Sequence, residues 1–187
     1  MQIKFSSEVT VIAGYAREEA MRTGSYGINP DHLALGILRH GDNDACRALV
    51  SLGVDLDALK AHIDSRIFKD KAVPFGDDHK VRLTRSGQSL LNMAAFEALK
   101  ADCNEISPVH MLLALIRDTE SVSASWLTGL GIDRDRIWEH LRDSSMLPES
   151  GTEEKAPDIP MKDIAGALGE QLGNLMESIT NKSNIFS

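Results

Sequence analysis

The stretch "NPDHLALGILRHG" at residues 29–41 returns as "SPVHMLLALIRDT" at residues 107–119, and this repetition decides the fold. Both stretches place a histidine three residues after a small polar residue, so His32 and His110 correspond at an offset of 110 minus 32, or 78. The same offset aligns, without a gap, Pro30 with Pro108, Leu35 with Leu113, Arg39 with Arg117, Leu49 with Leu127, Gly53 with Gly131, Asp55 with Asp133 and His62 with His140. A gapless match of this length indicates an internal duplication.

Each copy predicts four helices. In the first helix apolar residues recur at helical spacing on one face. The second helix follows Asn29 or Ser107, both good N-caps, and begins with a proline whose missing N–H is harmless there. The third helix ends at Gly53 or Gly131, since glycine readily adopts the left-handed conformation of a C-cap. The fourth helix begins at the aspartate two residues later, another good N-cap.

The duplication therefore predicts an all-α fold, a pseudo-two-fold tandem repeat of two four-helix units that together form one double-repeat domain over residues 1–145. Repeat one covers residues 3–68 and repeat two covers residues 83–145. The segment between them, residues 69–82, carries a proline, a glycine and mixed charge, a composition that predicts an exposed linker loop.

The C-terminal part of the chain has a different composition. Residues 146–160 are rich in Pro, Glu, Ser and Gly, which predicts a flexible acidic linker. Residues 161–187 predict a short amphipathic helix followed by a tail, although three glycines weaken that helix. Its apolar stripe is formed by Ile164, Leu168, Leu172, Leu175 and Ile179.

Composition limits the classes of partner. The chain has 187 residues with a formal net charge of −8, which argues against nucleic acid and against anionic membrane surfaces as partners. No stretch resembles a secretory signal or a membrane span, so we expect a cytoplasmic protein. Cys46 and Cys103 have no metal-type spacing and are predicted to be free thiols. We also expect a monomer without a cofactor.

At the level of motifs, the two copies resemble the N-terminal domains of Clp-family AAA+ unfoldases. In that family a helix with the pattern "F-T-E/P-R-A…A…E-A" is followed by "G-T-E-H-L-L-L-G-L-L" and then by a helix ending in "L-G-V/I-D". This sequence has "KFSSEVTVIAGYAREEA", "NPDHLALGIL" and "LGVDLDAL" in repeat one. It has "RLTRSGQSLLNMAAFEA", "SPVHMLLALI" and "LGIDRDRI" in repeat two. The resemblance covers roughly residues 3–145.

The resemblance implies a non-catalytic protein-binding module of a Clp-type chaperone or protease system, recognising substrates, adaptors or Clp components. The ATP-binding pattern GxxxxGK[ST] is not found in the sequence. We therefore expect either a free-standing domain without ATPase modules or an N-terminal domain whose remainder lies outside this sequence. An alternative is an accessory subunit that stabilises or regulates the Clp peptidase core. In either case the expected partners are proteins: a Clp unfoldase, the Clp peptidase, an adaptor or a substrate polypeptide.

The resemblance also implies a small anionic-peptide site in each copy, which in some family members recognises phosphorylated arginine. A carboxylate holds the guanidinium there, and backbone N–H groups and hydroxyls at helix starts hold the phosphate. Transferred position by position, repeat one offers Lys4, Ser6 and Asp31. Repeat two offers Arg82 and Thr84, but Val109 occupies the position of the acid. We therefore expect no intact phosphoarginine site in repeat two.

The repeated histidines allow two interpretations. His32 and His110 occupy the third helical position, from which a side chain reaches back to cap the first turn. The alternative, a small histidine-dependent enzyme, lacks a converging set of ligands or a nucleophile motif in the sequence. Adjacent carboxylates such as Glu18 and Glu19 diverge on a helix and are expected to be solvated. We therefore expect no catalytic residues and no metal site.

Two tryptophans distinguish repeat two from repeat one. Trp126 and Trp138 correspond to Ala48 and Lys60 at the 78-residue offset. Exposed tryptophans would be natural contacts for a partner helix in an apolar groove between the repeats. The other interpretation is that both side chains fill the core. The C-terminal helix is a further candidate to occupy such a groove within the same chain, and the sequence leaves this open.

Overall fold

The computed structural model describes residues 2–147 and 160–183 of the chain. Most of the predicted acidic linker over residues 146–160 and the end of the predicted tail, residues 184–187, lie outside the described residues.

Eight helices follow the predicted order, four in each repeat. Those of repeat one are α1 (Ser7–Arg22), α2 (Pro30–His40), α3 (Asp44–Ser51) and α4 (Leu56–Ile67). Those of repeat two are α5 (Arg85–Lys100), α6 (Pro108–Leu115), α7 (Val122–Gly129) and α8 (Arg134–Asp143). The all-α double-repeat fold predicted from the sequence is thereby confirmed.

The predicted helix boundaries arise from the side chains expected to cap them. Ser6 accepts a hydrogen bond from the backbone N–H of Val9, and Asp55 accepts one from Ala58. Gly53 and Gly131 follow the ends of α3 and α7 with φ of +87° and +78°. Side chains are rarely tolerated in this region, which explains why both repeats place glycine there.

Within the described residues, four two-residue strands that were not predicted from the sequence join the repeats. They are β1 (Lys4–Phe5), β2 (Gly27–Ile28), β3 (Arg82–Leu83) and β4 (Glu105–Ile106). The strand before α1 pairs in parallel with the strand before α6, and the strand before α5 pairs in parallel with the strand before α2. Each repeat therefore contributes one strand to each pair.

The helices also cross between the repeats. The third helix of repeat one, α3, packs against α6 and α8, while α7 of repeat two packs against α2 and α4. One continuous apolar core results, and its largest fully buried side chains include Trp138, Met111 and Leu113. Because the two repeats share this core, they form a single packing unit.

The segment between the repeats is more ordered than a simple exposed loop. Phe75–Lys80 form a short 3-10 helix. The backbone N–H of Lys69 donates to the carbonyl of Thr23, and that of Val73 donates to Met21. These bonds hold the segment over the end of α1, where the buried Val73 side chain joins the core.

A ninth helix, α9 (Met161–Ser183), follows the double repeat and packs against α1, α5 and β1. The predicted amphipathic helix is thus present, and its stripe residues are only 0–6% exposed. Among the described residues, no helix combines the length and the apolar character that a membrane crossing requires.

Candidate functional site

Each of the two strand pairs, with the helix starts that follow its strands, forms a shallow site that we call a cradle. The sequence-based grouping of the predicted peptide-binding residues by repeat was wrong, because the strand pairing places them in two cradles. Lys4 and Ser6 lie beside β4, which leads into α6 and Val109. Arg82 and Thr84 lie beside β2, which leads into α2 and Asp31. The reason is physical: the short strand before each first helix finds its hydrogen-bond partners in the other repeat. Each cradle is therefore built from both repeats.

In the first cradle, the backbone N–H of Ser6 donates to the carbonyl of Ile106 at 2.9 Å. The Ser6 hydroxyl is engaged as the N-cap of α1. Lys4 is exposed and forms an ion pair with Glu105, with 3.2 Å between Nζ and Oε2. A surface ion pair of this kind is weak, so the lysine can exchange Glu105 for another acid.

In the second cradle, Thr84 is the N-cap of α5 and accepts a hydrogen bond from Gly87. Its hydroxyl also donates to the carbonyl of Ile28 at 3.0 Å, which fixes the cradle to repeat one. The exposed Arg82 donates to the carbonyl of His79. The cationic side chain therefore lies on the linker side of the cradle.

Asp31, the predicted partner of a guanidinium, has a different set of partners. Its carboxylate is buried and accepts hydrogen bonds from the backbone N–H groups of Val122 and Ser123 and from the Ser123 hydroxyl. Both oxygens are thus engaged at the start of α7. Recognition of phosphoarginine at this position stays a prediction, and these three hydrogen bonds compete with it.

The two repeated histidines cap their helices, as the first of the two interpretations states. The backbone N–H of Asn29 donates to Nδ1 of His32 at 3.1 Å, and that of Ser107 donates to Nδ1 of His110 at 3.0 Å. Since Nδ1 is the acceptor, each neutral ring carries its proton on Nε2. Burial lowers the pKa of both histidines to about 4, so both are neutral at pH 7.

The far side of the two rings differs between the repeats. Nε2 of His32 lies 3.0 Å from the Thr23 hydroxyl, whereas Nε2 of His110 is buried without a hydrogen-bond partner in the described part of the chain. Position 101, which corresponds to Thr23, is an alanine. Within the described residues, no group of three or more His, Cys, Asp or Glu side chains could hold a metal ion.

The two tryptophans separate into different environments. Trp138 is only 1% exposed, so the prediction that it could contact a partner was wrong. Its side chain fills the core, and Cζ of Arg134 lies 5.1 Å from the centroid of the Trp138 ring. Trp126 is half-buried against α4, where its ring lies 6.1 Å from that of His62. Partner contact by Trp126 stays a prediction.

An apolar pocket of about 530 Å³ lies beside α1, between the 3-10 helix and the end of α9. Its wall includes the exposed side chains of Val11 and Phe75, together with Tyr15 of α1 and Ile179 of α9. Apolar pockets with exposed aromatic side chains are typical of contact surfaces for peptides and proteins.

Two buried glutamates, one in each repeat, were not predicted from the sequence. Glu19 was expected to be solvated but is buried, and its carboxylate pairs with Arg22 and Arg39. Glu97 is also buried and pairs with Arg117 at 2.5 Å and with Arg134 at 2.8 Å. Glu19 and Glu97 correspond at the 78-residue offset, as do Arg39 and Arg117, so the internal alignment carried the signal.

Arg117 and Arg134 determine the charge of Glu97. Burial by itself raises the pKa of the carboxyl group, but the hydrogen bonds and charges of Arg134 and Arg117 outweigh it, so the pKa lies below its ordinary value. The glutamate is therefore ionised and fully engaged, which suits a structural role.

Comparison with known proteins identifies the family. The Clp repeat (R) N-terminal domain, Clp_N, matches residues 4–130 and 82–160, and the chain belongs to this family. The chain is 27% identical over 133 residues to the negative regulator of genetic competence ClpC/MecB of Bacillus subtilis, and this match covers 71% of the chain but 16% of that protein. It is 28% identical over 185 residues to the chloroplastic chaperone protein ClpC1 of Oryza sativa subsp. japonica, a match that covers 97% of the chain and 19% of that protein.

A solved structure shows the same fold. The N-terminal domain of the caseinolytic protease associated chaperone ClpD from Arabidopsis thaliana superposes with a TM-score of 0.58 at 15% identity, covering 76% of the chain and 95% of that domain. The chain thus spans less than a fifth of the curated relatives named above, within their N-terminal regions. A Clp N-terminal domain is a non-catalytic interaction module of Clp chaperones.

Proposed function

We propose that this chain is the polypeptide-recognition module of a Clp-type chaperone or protease system, binding a substrate, an adaptor or a Clp component. The observation that carries the proposal is the family match over both repeats. The described contacts support it as well. The buried histidine His32 caps a helix, and the buried glutamates Glu19 and Glu97 form ion pairs, so these groups have structural roles.

The proposed contact sites are the two cradles, where an exposed cation lies beside the start of a long helix. Lys4 precedes α1 and Arg82 precedes α5. The first N–H groups of a helix attract negative charge, so each cradle favours an acidic or phosphorylated side chain of an extended peptide. Ser6 and Thr84 hold the helix starts in place by capping them.

The test is a pull-down of the tagged full chain from its native cells, followed by mass spectrometry. We expect a Clp unfoldase, the Clp peptidase or their substrates to be enriched, and we expect the double variant Lys4→Glu, Arg82→Glu to lose that enrichment. The matched control, Lys60→Glu with Arg66→Glu, makes the same charge change on the exposed face of α4. Recovery of no Clp component by the wild-type chain would contradict the proposal.

A further inference from the structure

Helix α9 fills a groove on the body of the molecule. It packs against the first helices of both repeats, α1 and α5, and against β1. Its apolar stripe is buried there, and the Gln171 side chain donates a hydrogen bond to the carbonyl of Ile3. The groove between α1 and α5 therefore has the width and apolar character that suit an amphipathic helix.

Helix α9 is also built to hold this groove weakly. Gly166, Gly169 and Gly173 are all exposed, and a Cβ added at any of them would meet no atom of the described residues within 4 Å. None is required by packing, yet each disfavours the helix about fivefold relative to alanine. Three such residues reduce the population of the docked helix without altering the surface that it covers.

The apolar surface continues beside the C-terminal part of α9. The apolar pocket of about 530 Å³ opens where Ile179 meets α1, and its wall includes the exposed Val11 and Phe75. A docked helix with larger apolar side chains at this end would cover Val11 and Phe75, which α9 leaves exposed.

We propose that the groove between α1 and α5 is a docking surface for an amphipathic helix of a partner polypeptide, and that α9 occupies it until the partner displaces it. The partner helix carries apolar residues at the spacing of Ile164, Leu168, Leu172, Leu175 and Ile179. Such helix-in-groove recognition reads one apolar stripe. Attachment in the same chain gives α9 a high effective concentration, so its weakened helix is what allows exchange. The inference rests on the proposed function in that the partner is a polypeptide.

The experiment compares full-length chains in their binding of a fluorescent peptide with the sequence of residues 160–183. In the released variant, Leu168→Asp and Leu172→Asp place charges in the buried stripe. Its matched control, Met161→Asp with Asn174→Asp, places the same charges at exposed positions of α9 and leaves the three glycines in place. In the locked variant, Gly166→Ala, Gly169→Ala and Gly173→Ala favour the docked helix roughly a hundredfold.

We expect the released variant to bind the peptide at least tenfold more tightly than wild type and the locked variant at least tenfold more weakly, with the charge control like wild type. If the released variant fails to fold by circular dichroism, the comparison of locked with wild-type chains still decides. Equal binding by the locked and wild-type chains would overturn the proposal. Light scattering that shows concentration-dependent dimers of the wild type would indicate that a second copy of the chain occupies the groove. This result would also overturn the proposal.

The outcome is separable from that of the proposed function. One outcome is that the peptide binds in the expected order of released, wild-type and locked chains while the pull-down recovers no Clp component. This result would support the docking proposal and contradict the proposed Clp function. Clp components recovered equally by locked and wild-type chains, combined with equal peptide binding, would support the Clp role and overturn the groove.

Discussion

Asp31 of repeat one caps a helix of repeat two through Ser123. Its Oδ1 accepts hydrogen bonds from the Ser123 N–H at 2.9 Å and from the Ser123 hydroxyl at 2.7 Å. At the 78-residue offset, Val109 replaces Asp31 and Ala45 replaces Ser123. Both replacements are buried on α6 and α3, which pack together as α2 and α7 do. The polar pair and the apolar pair thus occupy equivalent interfaces between the repeats.

This relationship predicts strong coupling between the two positions. Asp31→Val leaves the N–H groups of α7 and the Ser123 hydroxyl buried without partners, and we expect it to lower the free energy of unfolding by about 3 kcal/mol. Adding Ser123→Ala, which copies the other interface, should recover about 1 kcal/mol. Urea unfolding of the wild type, both single variants and the double variant measures the coupling. Additive losses would contradict the equivalence of the interfaces.

The buried ion cluster around Glu97 predicts a large loss upon its removal. Glu97→Gln removes the buried negative charge that pairs with the guanidinium groups of Arg117 and Arg134, and we expect a loss of about 3 kcal/mol in the free energy of unfolding. The control is Glu18→Gln, since the side chain of Glu18 is 55% exposed and pairs with Arg39. That change should cost less than about 0.5 kcal/mol. Chemical denaturation checks both, and losses of similar size would show that burial does not decide the energy of these pairs.

The histidine caps predict a decline of stability in mild acid. The pKa of His32 and of His110 is about 4 in the folded chain because burial opposes the charged form. Since the unfolded value is about 6.5, the unfolded chain takes up protons first as the pH falls. Stability therefore decreases between pH 6.5 and about 4 and levels off below, with a loss of up to about 2 kcal/mol for each histidine by pH 5.

Unfolding at pH 7.5 and pH 5 measures this decline. His32→Gln removes one of the two groups, so the difference between the two pH values should shrink by about half. An unchanged difference in this variant would contradict the assignment of the decline to the histidine caps.

The unpaired side of His110 predicts a stabilising substitution. Ala101→Thr supplies the hydroxyl that Thr23 offers to His32, and we expect it to raise the free energy of unfolding by about 1 kcal/mol. The reverse change, Thr23→Ala, should lower it by a similar amount. Thermal unfolding of both variants provides the measurement. A destabilising effect of Ala101→Thr would show that repeat two has no room for the hydroxyl beside the ring.

The candidate site was only partly predictable. Ser6 and Thr84 were identified at their helix starts because a cap and its helix are neighbours in sequence. The partners of Asp31 lie more than 90 residues away, a separation that no local pattern reports. The burial of Glu19 could have been inferred, since its duplicate Glu97 and both arginines align.

What the sequence by itself determined is the repeated frame: four helices per copy, their caps, the glycines that end them and the amphipathic stripe of α9. These features depend on periodicity and on contacts a few residues apart, which a linear pattern records. The tertiary structure alone decided how the copies interlock through exchanged strands and crossed helices. It also decided that Asp31 faces α7 and that α9 covers the groove between α1 and α5. Such contacts arise because each unpaired strand edge and apolar face must find a partner somewhere in the chain, wherever packing brings one near.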